Sequence, residues 1–247
     1  MRSARSLRQL RRRRLAFGHV ESVVTGLRRY AVKSMGGEAL HYAEFDKRGL
    51  AGDRWYAVED ADGDFASGKN TRRFRRRDSV FYYAARTDGG TVLVTGPDGE
   101  WVVGDPHLDA TLSVRMGLTV RVRAEREVPH QDMGSVSLIG TATLDWCADR
   151  WGVNADARRL RPNIVVATSV PFVEETWVGK RLGIEGVELD VAERVPRCRM
   201  IDIDQDGAMA RGRWLKWLAA ERDMFLAVYA DVRIPGCISL GDKVEVI

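Results

Sequence analysis

The sequence predicts a β-rich α+β chain with few helices, built as two packed β-rich modules that meet near residues 115–135. Three observations carry this. Short stretches that alternate apolar and polar residues recur along nearly the whole chain, the pattern of half-buried strands. Twenty-four glycines and several turn dipeptides punctuate those stretches. Helical spacing of apolar residues is visible in two segments, both in the second half. At 247 residues the chain is long enough for a sizeable core.

In order, "HVESVVTGL" alternates and reads as a strand, and "YAVKSMGGEAL" turns at Gly36-Gly37 into another. "RWYAVEDADGDFASG" is a hairpin about Asp62-Gly63. "VFYYAAR" adds a strand, and "TVLVTGPDGEWVVG" adds a pair joined at Pro97-Asp98-Gly99. "LTVRVRAERE" alternates over its first half. "TATLDWCADRWGV" places Leu144, Cys147, Ala148 and Trp151 at helical spacing, with Thr141 or Thr143 as the N-cap. Strands follow in "NIVVATS", "GVELDVAERV", "FLAVYADV" and "KVEVI", and "RGRWLKWLAAERD" is a helix with Trp214, Leu215 and Leu218 on its apolar face.

The formal charge of +4 is local in origin. Seven arginines and no acid fall in the first fourteen residues, so subtracting them from +4 leaves the remaining chain near −3. That stretch reads as a basic arm of residues 1–18 with no apolar region to make it a secretory signal. No apolar run approaches the roughly 18 residues needed to span a bilayer. Cys147, Cys198 and Cys237 are too few and too scattered for a disulfide framework, and no CxxC or zinc spacing occurs. A cytoplasmic protein is expected.

Several stretches could carry chemistry. "RVPRCRMID" sets Cys198 among Arg194, Arg197 and Arg199. Cations beside a thiol favour its ionised, metal-binding form, whereas a packing cysteine wants apolar neighbours. Pro196 argues for a loop that presents the side chain rather than a central strand. "YAVKS" carries Lys33 and Ser34 before the double glycine, and "GLAGDRW" carries Asp53-Arg54 before an aromatic strand. Each suits either an anion contact or an ordinary surface ion pair. In "RRLRPNIVV", Pro162 drives Arg161 toward an extended conformation, so Arg161 and Asn163 should point to one side as an anion and amide reader, unless they are merely structural. "FASGKNTRRFRRRD" is the richest basic stretch of the body and reads as a solvated loop or a lid over an anionic ligand.

Taken in order, "YAVKS", "GLAGDRW", "SLIGTATL", "RPNIVV", "FVEETW", "RC" before an Asp-rich turn and the closing "PGCISLGDKV" resemble the MOSC family, the molybdenum-cofactor-sulfurase C-terminal domain with its N-terminal β-barrel partner. The resemblance runs from about residue 19 to residue 247. It implies a MOSC-type β-barrel packed against an N-terminal β-barrel-like module, with the N-terminal domain over 19–125 and the MOSC domain over 126–247. It implies a molybdopterin-type molybdenum cofactor with Cys198 as metal ligand and catalytic residue. The family's cofactor contacts fall on Lys33, Ser34, Lys69, Arg54, Thr141, Thr143, Arg161, Asn163 and Arg197. There are departures: the family's "SEAS" is "GTAT" at residues 140–143, a serine two before the cysteine is Pro196, and an arginine after the hairpin is Lys69.

The activity this implies is reduction of N-hydroxylated or related N-oxygenated small molecules by a molybdenum-dependent oxidoreductase. The alternative is a cofactor or sulfur carrier with a persulfide on Cys198, and a weaker third reading is a nucleic-acid-binding module. The expected partners are a small-molecule substrate and a separate electron-donor protein, without membrane or nucleic acid. Neither a pyridoxal-phosphate domain nor an iron–sulfur domain is expected.

Overall fold

A computed structural model describes residues 22–209 and 212–247, so the basic arm of residues 1–18 lies outside the described residues. The largest sheet has eight strands, in spatial order Glu245–Val246, Arg181–Ile184, Val187–Pro196, Phe225–Ile234, Val136–Gly140, Ile164–Val166, Val24–Arg29 and Glu38–Leu40. The Val136–Gly140 and Ile164–Val166 strands run parallel, which requires a crossover, and the helix α2 (Thr141–Trp151) lies on it. The sheet curls back on itself. Val24 N–H donates to Asp242 O at 2.9 Å and Gly241 N–H to Val24 O at 2.8 Å, joining the first of these strands in sequence to the segment leading into the last. Inside the curl lies a core of Val, Leu and Ile side chains around Phe45 and Trp177.

Three smaller sheets complete the β-rich fold: Val120–Ala124, Tyr56–Asp60, Phe65–Ser67 and Phe74–Arg76; Gly99–Val102, Thr91–Gly96 and Ala84–Asp88; and Gly236–Ser239, Tyr42–Asp46 and Gly49–Leu50. The halves of the chain interleave. Val24–Arg29 pairs with Ile164–Val166, and Gly236–Ser239 pairs with Tyr42–Asp46. A second core, around Met35, Val80, Phe81, Leu108 and Leu112, sits under the first half.

The structure adds a helix that the apolar pattern leaves unassigned, α1 (Pro106–Met116), which buries only Leu108 and Leu112. Its signals are at its ends: the Asp105 carboxylate accepts from His107 N–H, Pro106 opens the first turn, and Gly117 closes it at φ 73°. Helix α3 (Trp214–Glu221) buries Trp214 and Leu218 as expected, and the Asp202 carboxylate accepts from Trp214 N–H at 2.9 Å. "VFYYAAR" is not one strand. Asp78–Tyr82 forms a 3-10 turn that buries the consecutive pair Val80 and Phe81, and extended structure starts only at Ala84. Two adjacent buried residues cannot both face one side of a strand.

Neither threonine caps α2, whose N-cap is Gly140. Thr141 Oγ1 accepts from Thr168 N–H at 3.0 Å and Thr143 Oγ1 from Phe172 N–H at 2.7 Å, so both hydroxyls tie the helix to the 168–172 segment. A side chain at position 140 has no room: a Cβ there would lie 2.6 Å from Thr168 Oγ1.

Candidate functional site

A cavity of about 730 Å³ is lined by both halves of the chain, including Lys33, Ser34, Arg54 and Lys69 from the first and Arg161, Arg197 and Cys198 from the second. Such a volume suits a cofactor or drug-sized ligand. Seven of the ten residues singled out from sequence thus meet at one place. Thr141, Thr143 and Asn163 are not in the lining. The two threonines serve α2 as above. Asn163 is buried between strands, its Oδ1 accepting from Ser137 N–H at 3.1 Å and its Nδ2 donating to Arg28 O at 3.2 Å.

Cys198 follows the Val187–Pro196 strand, whose pairing with Phe225–Ile234 becomes irregular between Arg194 and Pro196. Arg197 N–H still donates to Met224 O at 2.8 Å. The chain then leaves the sheet, and half-buried Cys198 precedes the 3-10 turn Arg199–Asp202. Of the three arginines beside it in sequence, two are committed elsewhere. Arg199 pairs with Asp78 at 2.7 Å, and Arg194 stacks on Phe225 at 4.3 Å. Only Arg197 lines the cavity with the thiol. Its Nε donates to Leu226 O and its Nη1 to Leu160 O, both at 2.8 Å, which leaves Nη2 buried without a partner.

Arg54 and Arg161 are organised around Tyr30, a fully buried side chain. The Arg161 guanidinium carbon lies 4.1 Å and that of Arg54 5.1 Å from the ring centroid. The Asp53 carboxylate, itself fully buried, accepts from Tyr30 N–H at 2.8 Å and pairs with Arg54. Arg161 has much weaker support, one contact at 3.4 Å to Gln205 Oε1, and its Nη2 has no partner. Burial pushes Arg161 and Arg197 down to about 10 and the Tyr30 hydroxyl up to about 12.

Arg161 is left-handed at φ 54° rather than extended. Its N–H closes the preceding 3-10 turn on Ala157 O at 3.1 Å. Arg54 at φ 50° and Ser34 at φ 69° share this region. Three non-glycine site residues held there, at a cost on the order of 1–3 kcal/mol each, mark a place where the surroundings fix side-chain direction.

The basic loop after Ser67 forms another wall. Lys33 and Lys69 lie 3.4 Å and 2.8 Å from Asp132 Oδ1. They also stand over the Phe74 ring, at 4.5 Å and 4.9 Å from its centroid. Burial lowers the Lys33 amine to about 8, opposed by Asp132, and the two lysines hold the Asp132 carboxyl below its usual range despite its burial. Sequence reasoning missed Asp132, Tyr30, Ser137 and Tyr229. Asp132 stands in no special pattern, and Tyr30, although it opens "YAVKS", meets the guanidiniums of Arg54 and Arg161 only in the folded chain.

The donor set fits an anionic, metal-bearing cofactor. Buried guanidinium nitrogens without partners on Arg159, Arg161 and Arg197, each costing roughly 1–3 kcal/mol if left so, lie on residues that share one cavity with Lys33, Ser34, Arg54, Lys69 and a thiol. Arg54, Arg161, Arg197, Lys33 and Lys69 would meet phosphate and pterin oxygens, and Cys198 would offer one soft ligand. Among the described residues, no three His, Cys, Asp or Glu side chains stand together to hold an ion unaided.

A curled β-sheet interleaved with a smaller β-rich unit, and a cation-lined cavity between them holding one thiol, define a MOSC-type protein, a class associated with the molybdenum cofactor. The chain belongs to the MOSC family: it matches the MOSC domain over residues 125–245 and the MOSC N-terminal beta barrel domain over residues 21–133. It is similar to mitochondrial amidoxime reducing component 2 of Bos taurus, 26% identical over 168 residues that cover 59% of this chain and 49% of the relative. It is also similar to the molybdenum cofactor sulfurase of Caenorhabditis elegans, 48% identical over 46 residues, 19% of this chain and 6% of that protein. The chain thus spans about half the length of the first relative and a small part of the second. Among solved structures, the YUAD protein from Bacillus subtilis aligns with a TM-score of 0.48 at 13% identity, covering 91% of this chain and 95% of that one. YiiM from Geobacillus stearothermophilus aligns with a TM-score of 0.36 at 14% identity, covering 46% and 54%. Among the described residues no helix is long and apolar enough to cross a membrane.

Proposed function

We propose that this protein binds a molybdopterin-type cofactor in the cavity and reduces N-hydroxylated or related N-oxygenated small molecules, taking electrons from a separate donor protein in the cytoplasm. One observation carries the reading: the Cys198 thiol shares a cavity with Lys33, Arg54, Arg161 and Arg197. When bound, the cofactor supplies the electron pair and the oxygen acceptor for breaking an N–O bond. The chain does the rest. Cys198 presents a soft donor at the head of a short turn, Arg54 and Arg161 hold anionic groups in orientations fixed by Tyr30 and Asp53, and Phe74 and Leu160 present apolar wall against water. The relative named for amidoxime reduction supports the substrate class. Purified protein should contain molybdenum and pterin in near-equal amounts and reduce benzamidoxime with a viologen donor. Absence of both metal and pterin from protein made in a cofactor-producing host would overturn the reading.

The match to the sulfurase favours a second reading, a cofactor or sulfur carrier with a persulfide on Cys198. Loaded protein that turned over no N-oxygenated substrate with the artificial donor would favour that role.

Lys33 gives the cofactor site a pH dependence. Its ammonium is the form that holds an anion, and that form is lost as pH rises through about 8. Pterin release, followed by fluorescence, should therefore be faster at pH 9 than at pH 7, and Lys33→Met should remove the difference. The ligand-free chain should move the opposite way. An unfolded lysine keeps its proton to about 10.5, so between about 8 and 10.5 the unfolded state binds more protons and stability rises with pH.

A further inference from the structure

The basic loop contains one cation that the fold does not use. Lys69 pairs with Asp132 at 2.8 Å, Arg75 with Asp64 at 2.7 Å, Arg76 with Asp78 at 3.0 Å and Arg77 with Asp60 at 2.5 Å. Arg73 donates to Pro129 O at 2.7 Å and to Asp132 O at 3.3 Å. Arg72 is exposed, lines the cavity, and has no hydrogen-bond or ion-pair partner among the described residues. The bonds from Arg73 place this turn against residues 129–132, and on either side of those the cavity lining continues as Val128 and Met133. Both are large apolar side chains left open to solvent, 45% and 61% exposed. An unpaired guanidinium and two exposed apolar side chains in the lining of one cavity suit an amphipathic ligand.

We propose that this rim selects substrates that join an apolar or aromatic body to an anionic group, Arg72 reading the anion while Val128 and Met133 hold the body. The inference rests on the reductase reading above, in which the N-oxygenated end of the molecule reaches toward Cys198. The inner cations are taken: Arg54 pairs with Asp53, Lys33 and Lys69 pair with Asp132, and the free nitrogens of Arg161 and Arg197 are given to the cofactor in the reading above. Arg72 is thus the cation of this wall left for a second anion, a carboxylate, sulfonate or phosphate on the substrate.

The test uses two non-reducible ligands of one shape, 4-carboxybenzamide and neutral terephthalamide. Their binding to the cofactor-loaded wild type, Arg72→Gln and Met133→Gln is measured by calorimetry, with pterin content recorded for each. The wild type should bind the carboxylate about tenfold more tightly, as a charge-assisted contact allows. Arg72→Gln should bring that ratio near one while leaving the neutral amide unchanged, and Met133→Gln should weaken both ligands by a similar factor. Turnover of 4-carboxybenzamidoxime against benzamidoxime should follow the same ratios in kcat/KM. Equal binding of the two ligands by the wild type, or a carboxylate preference that survives Arg72→Gln, would overturn the proposal. So would loss of pterin from Arg72→Gln, which would give this arginine to the cofactor. If neither amidoxime is reduced while the carboxylate preference persists and vanishes in Arg72→Gln, the reductase reading fails and the anion-reading rim stands.

Discussion

Cys198→Ser is expected to lower turnover of N-hydroxylated substrates by about a thousandfold or more, a loss on the order of 4 kcal/mol in the barrier. A serine oxygen is a harder donor with a far higher pKa than a thiol, so both the metal's coordination and its potential change. The fold should survive, because Cys198 is only half-buried and lies beyond the end of its strand. Pterin should also be retained, because the cation contacts come from other segments of the cavity wall. X-ray absorption at the molybdenum edge should then show one sulfur neighbour fewer in the variant. The other cysteines are the controls. Cys147 is fully buried in the core beside Trp151 and Trp214, and burial pushes its thiol up to about 12. Cys147→Ala should cost stability but leave the activity per bound molybdenum unchanged. Cys237 is exposed on the strand paired with Tyr42–Asp46, and Cys237→Ser should do nothing measurable. An unchanged sulfur count with retained activity in Cys198→Ser would take this residue off the metal.

Much of the site was legible because its chemistry is carried by residue types that stand out locally. A cysteine among arginines, a lysine before a double glycine and an arginine after a glycine turn are visible without a fold, and the structure gathers them. What stayed hidden depends on distance along the chain or on backbone shape. The aromatic floor at Tyr30 contacts guanidiniums at positions 54 and 161, which no window of sequence unites. The charge around Cys198 was over-read for the same reason: Arg199 is drawn off to Asp78, which lies far back in the chain. Left-handed Arg161 defeated an argument from Pro162, because the rule bars the right-handed helical region and leaves more than one alternative. Helix α1 was missed because two buried leucines make too thin a stripe to register as a period.

Arg54 and Arg161 should lose cofactor alike yet change the stability of the ligand-free protein in opposite directions. Either truncation removes a charged hydrogen bond to phosphate or pterin, worth about 1.5–3 kcal/mol. Affinity should fall about tenfold to a hundredfold, seen as pterin lost on dilution and gel filtration. Without cofactor the two arginines are in different situations. Arg54 answers Asp53, whose carboxylate is fully buried and accepts otherwise from Tyr30 N–H. Arg54→Ala leaves that carboxylate short of its counter-charge, and breaking a buried pair in this way costs about 3–5 kcal/mol. Arg161 has no carboxylate in contact, one long bond to Gln205 and an unpartnered nitrogen, and burial already pushes its pKa down to about 10. Arg161→Met keeps a flexible side chain over the Tyr30 ring and removes a buried charge whose nearby carboxylates, Asp206 and Asp53, are paired with Arg28 and Arg54 instead. The ligand-free variant should therefore unfold at a higher denaturant concentration than wild type, by about 1 kcal/mol or more, while Arg54→Ala unfolds earlier. Denaturant unfolding of both variants after cofactor removal reads this directly. If Arg161→Met destabilised the ligand-free protein as much as Arg54→Ala does, Arg161 would be a structural cation rather than one held in reserve for an anion.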